Sequence, residues 1–419
     1  MEGKYLVIDR SLYGLKTSAA RWHEAFSDTL LRLRFVPSKA DADMWIRDCG
    51  DHYEYMAVYV DDLIIVSKDP MKIIKELKVE GGYELKGVGE PEYYLGGDII
   101  RHKTNDGKRK TVLSAKTYIK NICEKVERIF EITLRNYHSP LEGGYHPELD
   151  SSDLLQGDEI SKYRMLIGSL NWTVTLGRVD VMFASITLSR YSHAPRKGHL
   201  KTVLRTFGYL KSHAKGCIRF DTSFREEPED VKVNRGWKDL YPLAREKLPD
   251  EPPEPKGKPV KLTMEVDADH AHDLETRRSV TGVFLYINNT LQKWYSKRQH
   301  TVETSTYGSE LVAARIATEI AMEYRYKLRM LGVPIEGQTI VYGDNLAVIT
   351  NASVPGSNIK KKHHACAYHF IREACAAGIM FFTHIESKKN KADALTKALP
   401  PHMLYDLMKD LISKKSSTD

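Results

Sequence analysis

The sequence predicts a multidomain protein of the α+β and α/β classes, on three observations. A chain of 419 residues is too long for one compact hydrophobic core. Residues 160–215 are patterned as helix throughout, whereas residues 261–400 run through strands and then alternate helix with strand. That second order belongs to a mixed α/β sheet. With 42% hydrophobic and 28% charged residues, the chain has a folded rather than a disordered composition.

The elements follow in order. "TSAARWHEAFSDTLLRLRF" spaces Trp22, Phe26, Leu30 and Leu33 as one helical face. "YMAVYVDDLIIV" (55–66) reads as a buried hairpin apart from Asp61 and Asp62. "PMKIIKELKVEG" is a helix closed by a glycine C-cap at Gly81-Gly82. "YYLGGDIIRH" and "KRKTVLSA" are strands around a polar turn, and "KTYIKNICEKVERIF" keeps Ile119, Ile122, Val126 and Ile129 on one stripe. Two helical stretches, broken at Ala194-Pro195, fill residues 160–215. Residues 221–260 are charged and proline-rich, a semi-rigid exposed linker, although Trp237 and Tyr241 suggest that part of it docks. Beyond it come the strands "VKLTMEVDADH", "RRSVTGVFLYINN" and "LQKWYSKRQ", then a long helix from Ser305 to Gly332. "QTIVYGDNLAVITNA" is a strand passing into a helix; a further helix–strand pair and a short C-terminal helix follow.

Composition narrows the function. The formal net charge of +7 permits a polyanionic partner without requiring one. Five cysteines (Cys49, Cys123, Cys217, Cys366, Cys375) without a CxxC pair argue against a disulfide framework or a cysteine zinc site, and fit a reducing compartment. No stretch is long and apolar enough to span a membrane, and the N-terminus lacks a signal-peptide core.

Carboxylates in apolar surroundings point to chemistry. A carboxylate moved out of water without a partner costs several kcal/mol, roughly, and tends to protonate instead. Adjacent Asp61 and Asp62 make that cost worse, and a metal ion is the obvious partner; the alternative is a polar turn. In the C-terminal region Asp267 sits near a strand end. Glu310 shares a helix face with Ala313, Ala314, Ala317 and Ala321, a face suited to close packing on a sheet. Asp344 follows a strand, where it could instead cap the next helix. Asp393 opens an apolar-patterned helix, where it could merely favour the dipole.

Together these residues resemble a known unit. "EVDADHAHD … RRSVTGV … TSTYGSELVAAR … VYGDN … KKKHHACAYHFIREA … THIESKKNKADALTKAL" looks like the ribonuclease H domain of copia-type LTR retrotransposons. The resemblance implies that Asp267, Glu310, Asp344 and Asp393 hold two divalent ions about 4 Å apart. One ion would activate the attacking water and the other stabilise the leaving oxygen of an RNA phosphodiester. Magnesium fits an all-oxygen donor set better than zinc. His384 falls where related enzymes carry a mobile histidine that aids product release; it could equally close a strand. Asp269 is a neighbour without an assigned ligand role.

The N-terminal motifs "RSLYGLKTSAARWHEAF", "YVDDLIIVS" and "YYLGGDI" occur in the order found in copia-type reverse transcriptases. The resemblance implies a partial polymerase palm and thumb, with Asp61 and Asp62 as metal ligands, then a helical connection and the ribonuclease H-like domain. The expected boundaries are 1–140, 141–220, a linker 221–260, 261–402 and a tail 403–419. Polymerases of this type need a third aspartate upstream of "SLYGLK", and only ten residues precede that segment here; Asp9 is misplaced for the role and Thr17 replaces the usual glutamine. Polymerisation by this chain alone is therefore not expected, whereas hydrolysis of RNA in RNA–DNA hybrids is. Lys16, Arg21, Tyr59, Lys360, Lys361 and Lys362 are candidates for nucleic-acid contact, although such basic runs are also ordinary solvated loops. The expected partners are an RNA–DNA hybrid and the remainder of a Pol polyprotein, with no membrane. The expected location is intracellular, in cytoplasmic virus-like particles or the nucleus. A catalytically inactive remnant that binds nucleic acid is the competing reading; a different metal-dependent phosphoesterase on the same fold is a third.

Overall fold

The computed structural model describes residues 17–103, 109–226, 236–359 and 362–412. Two compact units emerge, the first made of residues 1–91, 248–259 and 324–335, the second of 92–247, 260–323 and 336–419.

In the first unit, α1 (Ser18–Arg32) and α2 (Pro70–Gly81) cover a four-stranded antiparallel sheet of β1 (Val36–Ser38), β2 (Asp41–Asp48), β3 (Tyr53–Tyr59) and β4 (Asp62–Val66) in that order. The core joins Phe26 and Leu30 of α1 to Trp45, Met56, Val58, Ile73 and Leu77. Asp69 caps α2 by accepting from the Lys72 N–H, and Gly82 ends it at φ +64°, as the Gly-Gly signal predicts. The proline-rich stretch is anchored here: Tyr53 donates to the Glu254 carbonyl at 2.9 Å and Lys256 pairs with Asp48.

The second unit opens with β5 (Tyr93–Tyr94), β6 (Gly97–Lys103) and β7 (Arg109–Ser114). Then come α3 (Lys116–Phe130), α4 (Asp158–Thr175), α5 (Met182–Ser189) and α6 (Lys197–Ser212), and β8 (Cys217–Phe220) completes the sheet β5-β6-β7-β8. The stripe on α3 is buried at Ile119, Ile122 and Val126, packed with Tyr163, Leu166, Leu170, Val203 and Phe207. The helical stretch that begins at Ser161 holds a second break besides the proline: α4 ends before Gly177, whose φ of +95° a side chain rarely adopts. Just after it, the fully buried Arg178 makes a two-point pair with Asp180, Nε–Oδ1 3.0 Å and Nη2–Oδ2 2.7 Å, and Tyr209 donates to the same carboxylate.

Short α7 (Trp237–Leu240) docks as its aromatic residues suggest: Arg372 stacks on Trp237, and the Tyr241 hydroxyl meets His369 Nδ1 at 2.8 Å. A five-stranded sheet follows from β9 (Leu262–Asp269), β10 (Val280–Ile287), β11 (Thr290–Arg298), β12 (Thr339–Gly343) and β13 (Met380–His384). Its order is β11-β10-β9-β12-β13; the first three strands are antiparallel and β9-β12-β13 are parallel. Between the strands run α8 (Thr306–Met330), α9 (Leu346–Ser353) and α10 (Ala365–Ala376), and α11 (Pro401–Met408) follows β13. The mixed sheet confirms the predicted class. Among the described residues all five cysteines are free and no helix is long and apolar enough to cross a membrane.

Candidate metal centre

Three of the four carboxylates converge. Asp267 near the end of β9, Glu310 in the second turn of α8 and Asp344 just past β12 place one carboxylate oxygen each within 4.8 Å of one another. Local structure explains each position. The central strand β9 is buried along almost its whole length, so Asp267 is carried into the interior. Ala313, Ala314, Ala317 and Ala321 are all buried, so the small-residue face of α8 lies inward and Glu310 with it. The capping alternative for Asp344 falls to its neighbour: Asn345 accepts from the Ala347 and Val348 N–H groups, which leaves Asp344 for other work.

Asp393 arrives differently from the expected helix start. It lies within a single 3-10 turn, Lys391–Leu395, so no macrodipole explains it. Asn390 seats that turn against β9 by donating to the Val266 carbonyl at 2.8 Å and accepting from Ala392 N–H. Gly282, opposite Asp267 in the β9–β10 register, makes the close approach possible: a Cβ there would meet the Ala392 carbonyl at 2.8 Å and Leu395 Cβ at 2.9 Å. Asp393 stands outside the three-carboxylate group, but its charge is felt by Asp267. Gly282→Ala is expected to displace the turn and weaken divalent-metal binding by about ten- to a hundredfold, the scale on which supporting contacts tune metal affinity; calorimetric titration with magnesium or manganese checks this.

The electrostatics are those of crowded, buried acids. Burial, and then Asp393 and Asp344, push Asp267 up to about 8. Burial, Asp267 and Asp344 push Glu310 up to about 9. Burial also raises Asp393. Two residues that sequence reasoning missed hold this charge: Thr396 donates to Asp267 Oδ2 at 2.5 Å, and Lys397 Nζ pairs with Asp393 Oδ1 at 3.0 Å. Burial opposes the Lys397 charge, but Asp267 and Asp393 outweigh it and raise its pKa. A Thr-Lys pair in "ALTKAL" carries no such signal in the sequence.

These shifts give a sign. Acids whose folded pKa lies above the unfolded value stabilise the protein most at low pH. That stability is lost as pH rises from about 4 through about 8 to 9. Thermal melts of chelator-treated protein should therefore show a midpoint that falls over this window, and magnesium should flatten the fall.

The other predicted site residues lie apart from this cluster or beside it. His384 is exposed at the end of β13, opposite Gly343 and hence at the strand edge that carries Asp344. Asp269 is paired with His272 at 2.6 Å. Asp61 and Asp62 correct the buried-hairpin expectation. Burial covers Tyr53, Glu54, Met56 and Val58 but stops before Tyr59, so both aspartates are exposed at the tip. Val60 there has φ +55°, a costly conformation for a β-branched residue. The buried carboxylate of this hairpin is Glu54 instead, satisfied by Arg47 at 2.7 Å and Ser67 at 2.6 Å. Arg21, Tyr59 and Lys362 are exposed; Lys16, Lys360 and Lys361 lie outside the described residues.

Residues 1–136 match the family described as reverse transcriptase (RNA-dependent DNA polymerase). Similarity then continues along nearly the whole chain. It is 25% identical over 93% of its length to the Retrovirus-related Pol polyprotein from transposon RE1 of Arabidopsis thaliana, and 26% over 98% to that from transposon TNT 1-94 of Nicotiana tabacum. The chain is similar over most of its length to copia-type retrotransposon Pol polyproteins. It spans 24% and 28% of the length of those two relatives. Among solved structures, LC11-RNase H1 in complex with RNA/DNA hybrid matches 32% of this chain and 94% of its own, at 17% identity and a TM-score of 0.27.

Proposed function

We propose that the second unit of this chain is a divalent-metal-dependent ribonuclease that hydrolyses the RNA strand of RNA–DNA hybrids. The observation that carries the reading is the convergence of Asp267, Glu310 and Asp344 from three separate elements within 4.8 Å. Hard carboxylate oxygens suit magnesium, and no cysteine or histidine joins this group of three. Bound divalent ions would supply an activated water and stabilise the leaving oxygen. The protein's part is placement. Asp267, Glu310 and Asp344 would hold the ions; Asp393 completes the acidic set through Asp267. Thr396 and Lys397 fix the orientation and charge of Asp267 and Asp393. His384, exposed at the end of β13, would be the histidine that meets product.

The reverse transcriptase region is read differently. Asp61 and Asp62 are exposed in the manner of ligands for a metal–nucleotide complex, and Arg21 and Tyr59 are open to a primer–template. Among the described residues, however, no third carboxylate gathers with this pair. Two ligands alone place a metal poorly, and misplacement is costly. Primer extension with magnesium should yield no template-dependent DNA; synthesis by this chain alone would contradict that.

The deciding experiment incubates the full chain with a hybrid labelled on its RNA strand and magnesium. Cleavage of that RNA, with single-stranded RNA and duplex DNA left intact, is expected. Binding without cleavage by a folded sample would leave the inactive nucleic-acid-binding reading in its place. Binding should weaken steeply with salt, and Lys362→Ala should reduce that salt slope.

A further inference from the structure

A second group of potential ligands lies outside the acidic centre. Glu303, in the segment ahead of α8, and His363 and His364, in the 3-10 turn Lys362–His364 ahead of α10, each offer one ligand atom within 4.8 Å of the others. His364 Nε2 faces Glu303 Oε2 at 2.9 Å, with the two side chains only 5% and 8% exposed. Thr301 donates to the other oxygen of Glu303 at 3.0 Å, which fixes the carboxylate. Gly308, in the first turn of α8, lets this pair pack close against the helix start: a Cβ there would meet Glu303 Oε2 at 2.6 Å and His364 Nε2 at 3.1 Å.

We propose that Glu303, His363 and His364 form a three-ligand site for a zinc ion, distinct in residues and in chemistry from the magnesium-type carboxylate centre. Two imidazoles and one carboxylate are a donor set that zinc favours, with a fourth position left to water. Zinc bonds of about 2.0–2.1 Å put neighbouring ligand atoms about 3.3 Å apart, close to the spacing already present between His364 and Glu303. The exposed ring of His363 gives the ion a route in from solvent. Bound zinc would tie the segment ahead of α8 to the turn ahead of α10, and so steady the helix start that carries Glu310.

Zinc binding to the full chain tests this, measured against a chromophoric chelator after metal stripping and with excess magnesium present to occupy the carboxylates. One equivalent of tightly held zinc is expected. His363→Ala and Glu303→Gln should each weaken it at least about tenfold. Glu303→Gln keeps an oxygen for His364 and His363 is exposed, so both variants should fold; circular dichroism verifies this. The other mixed group, Cys49, His52 and Glu54, supplies the control, because its Glu54 is committed to Arg47 and Ser67 and its His52 meets Asp51. His52→Ala should leave the affinity unchanged. Cobalt in place of zinc should give the visible absorption of a tetrahedral site, lost in His363→Ala. No tight binding, unchanged affinity in both variants, or a loss confined to His52→Ala would each overturn the assignment.

Discussion

Asp344→Asn is expected to reduce hybrid cleavage by on the order of a hundredfold to a thousandfold, the loss seen when one preorganised charge-stabilising group is removed. The fold should not register the change. Asn345, not Asp344, caps α9, and Asp344 is half-buried beside a crowd of like charges. Its carboxylate raises the pKa of both Asp267 and Glu310, so its removal relieves repulsion in the metal-free protein. Stability should stay within about 0.5 kcal/mol or improve slightly, as for substitutions that break no packing or cap. Cleavage assays paired with thermal melts separate the two effects. Activity lost together with the fold would mean that Asp344 is structural; undiminished cleavage would move the active site elsewhere.

The largest stability effect is expected at Asp180. Arg178 and Asp180 are both buried, joined at two points and closed by the Tyr209 hydroxyl. Burial opposes the charge on each, but the pairing outweighs it, raising the Arg178 pKa and lowering that of Asp180. Asp180→Ala strands the guanidinium in the helical core, and removal of one partner of a buried pair costs about 3–5 kcal/mol. Denaturant unfolding followed on the full chain should show that loss. Replacing both residues by apolar groups of similar volume should cost less than Asp180→Ala alone, because nothing charged is left unpaired.

The sequence carried much of this and missed specific parts for physical reasons. Period-based reading places α3 and its buried stripe, the Gly82 cap and the strands β9, β10 and β11, because each is encoded within a few residues. The small-residue face of α8 likewise announced that Glu310 points inward. Contacts that join distant segments were invisible. Nothing in "ALTKAL" shows that Thr396 and Lys397 will meet Asp267 and Asp393, because Asn390 and Gly282 create that approach only after folding. Asp393 reads as a helix start because its apolar neighbours Ala392, Ala394 and Leu395 are helix-like; all three are buried, but by a single tight turn. The Asp-Asp pair reads as buried because its strands are apolar, yet those strands outrun their core at Tyr59. The true buried acid, Glu54, is hidden from pattern reading because its partner Arg47 sits on the neighbouring strand.

Anomalous scattering from crystals grown with manganese tests most directly whether these acids are a metal centre. Peaks bonded to oxygens of Asp267, Glu310 and Asp344, and absent in Asp344→Asn crystals, are expected. Carboxylates splayed toward solvent with no peak among them, in protein that is folded and saturated with manganese, would contradict it.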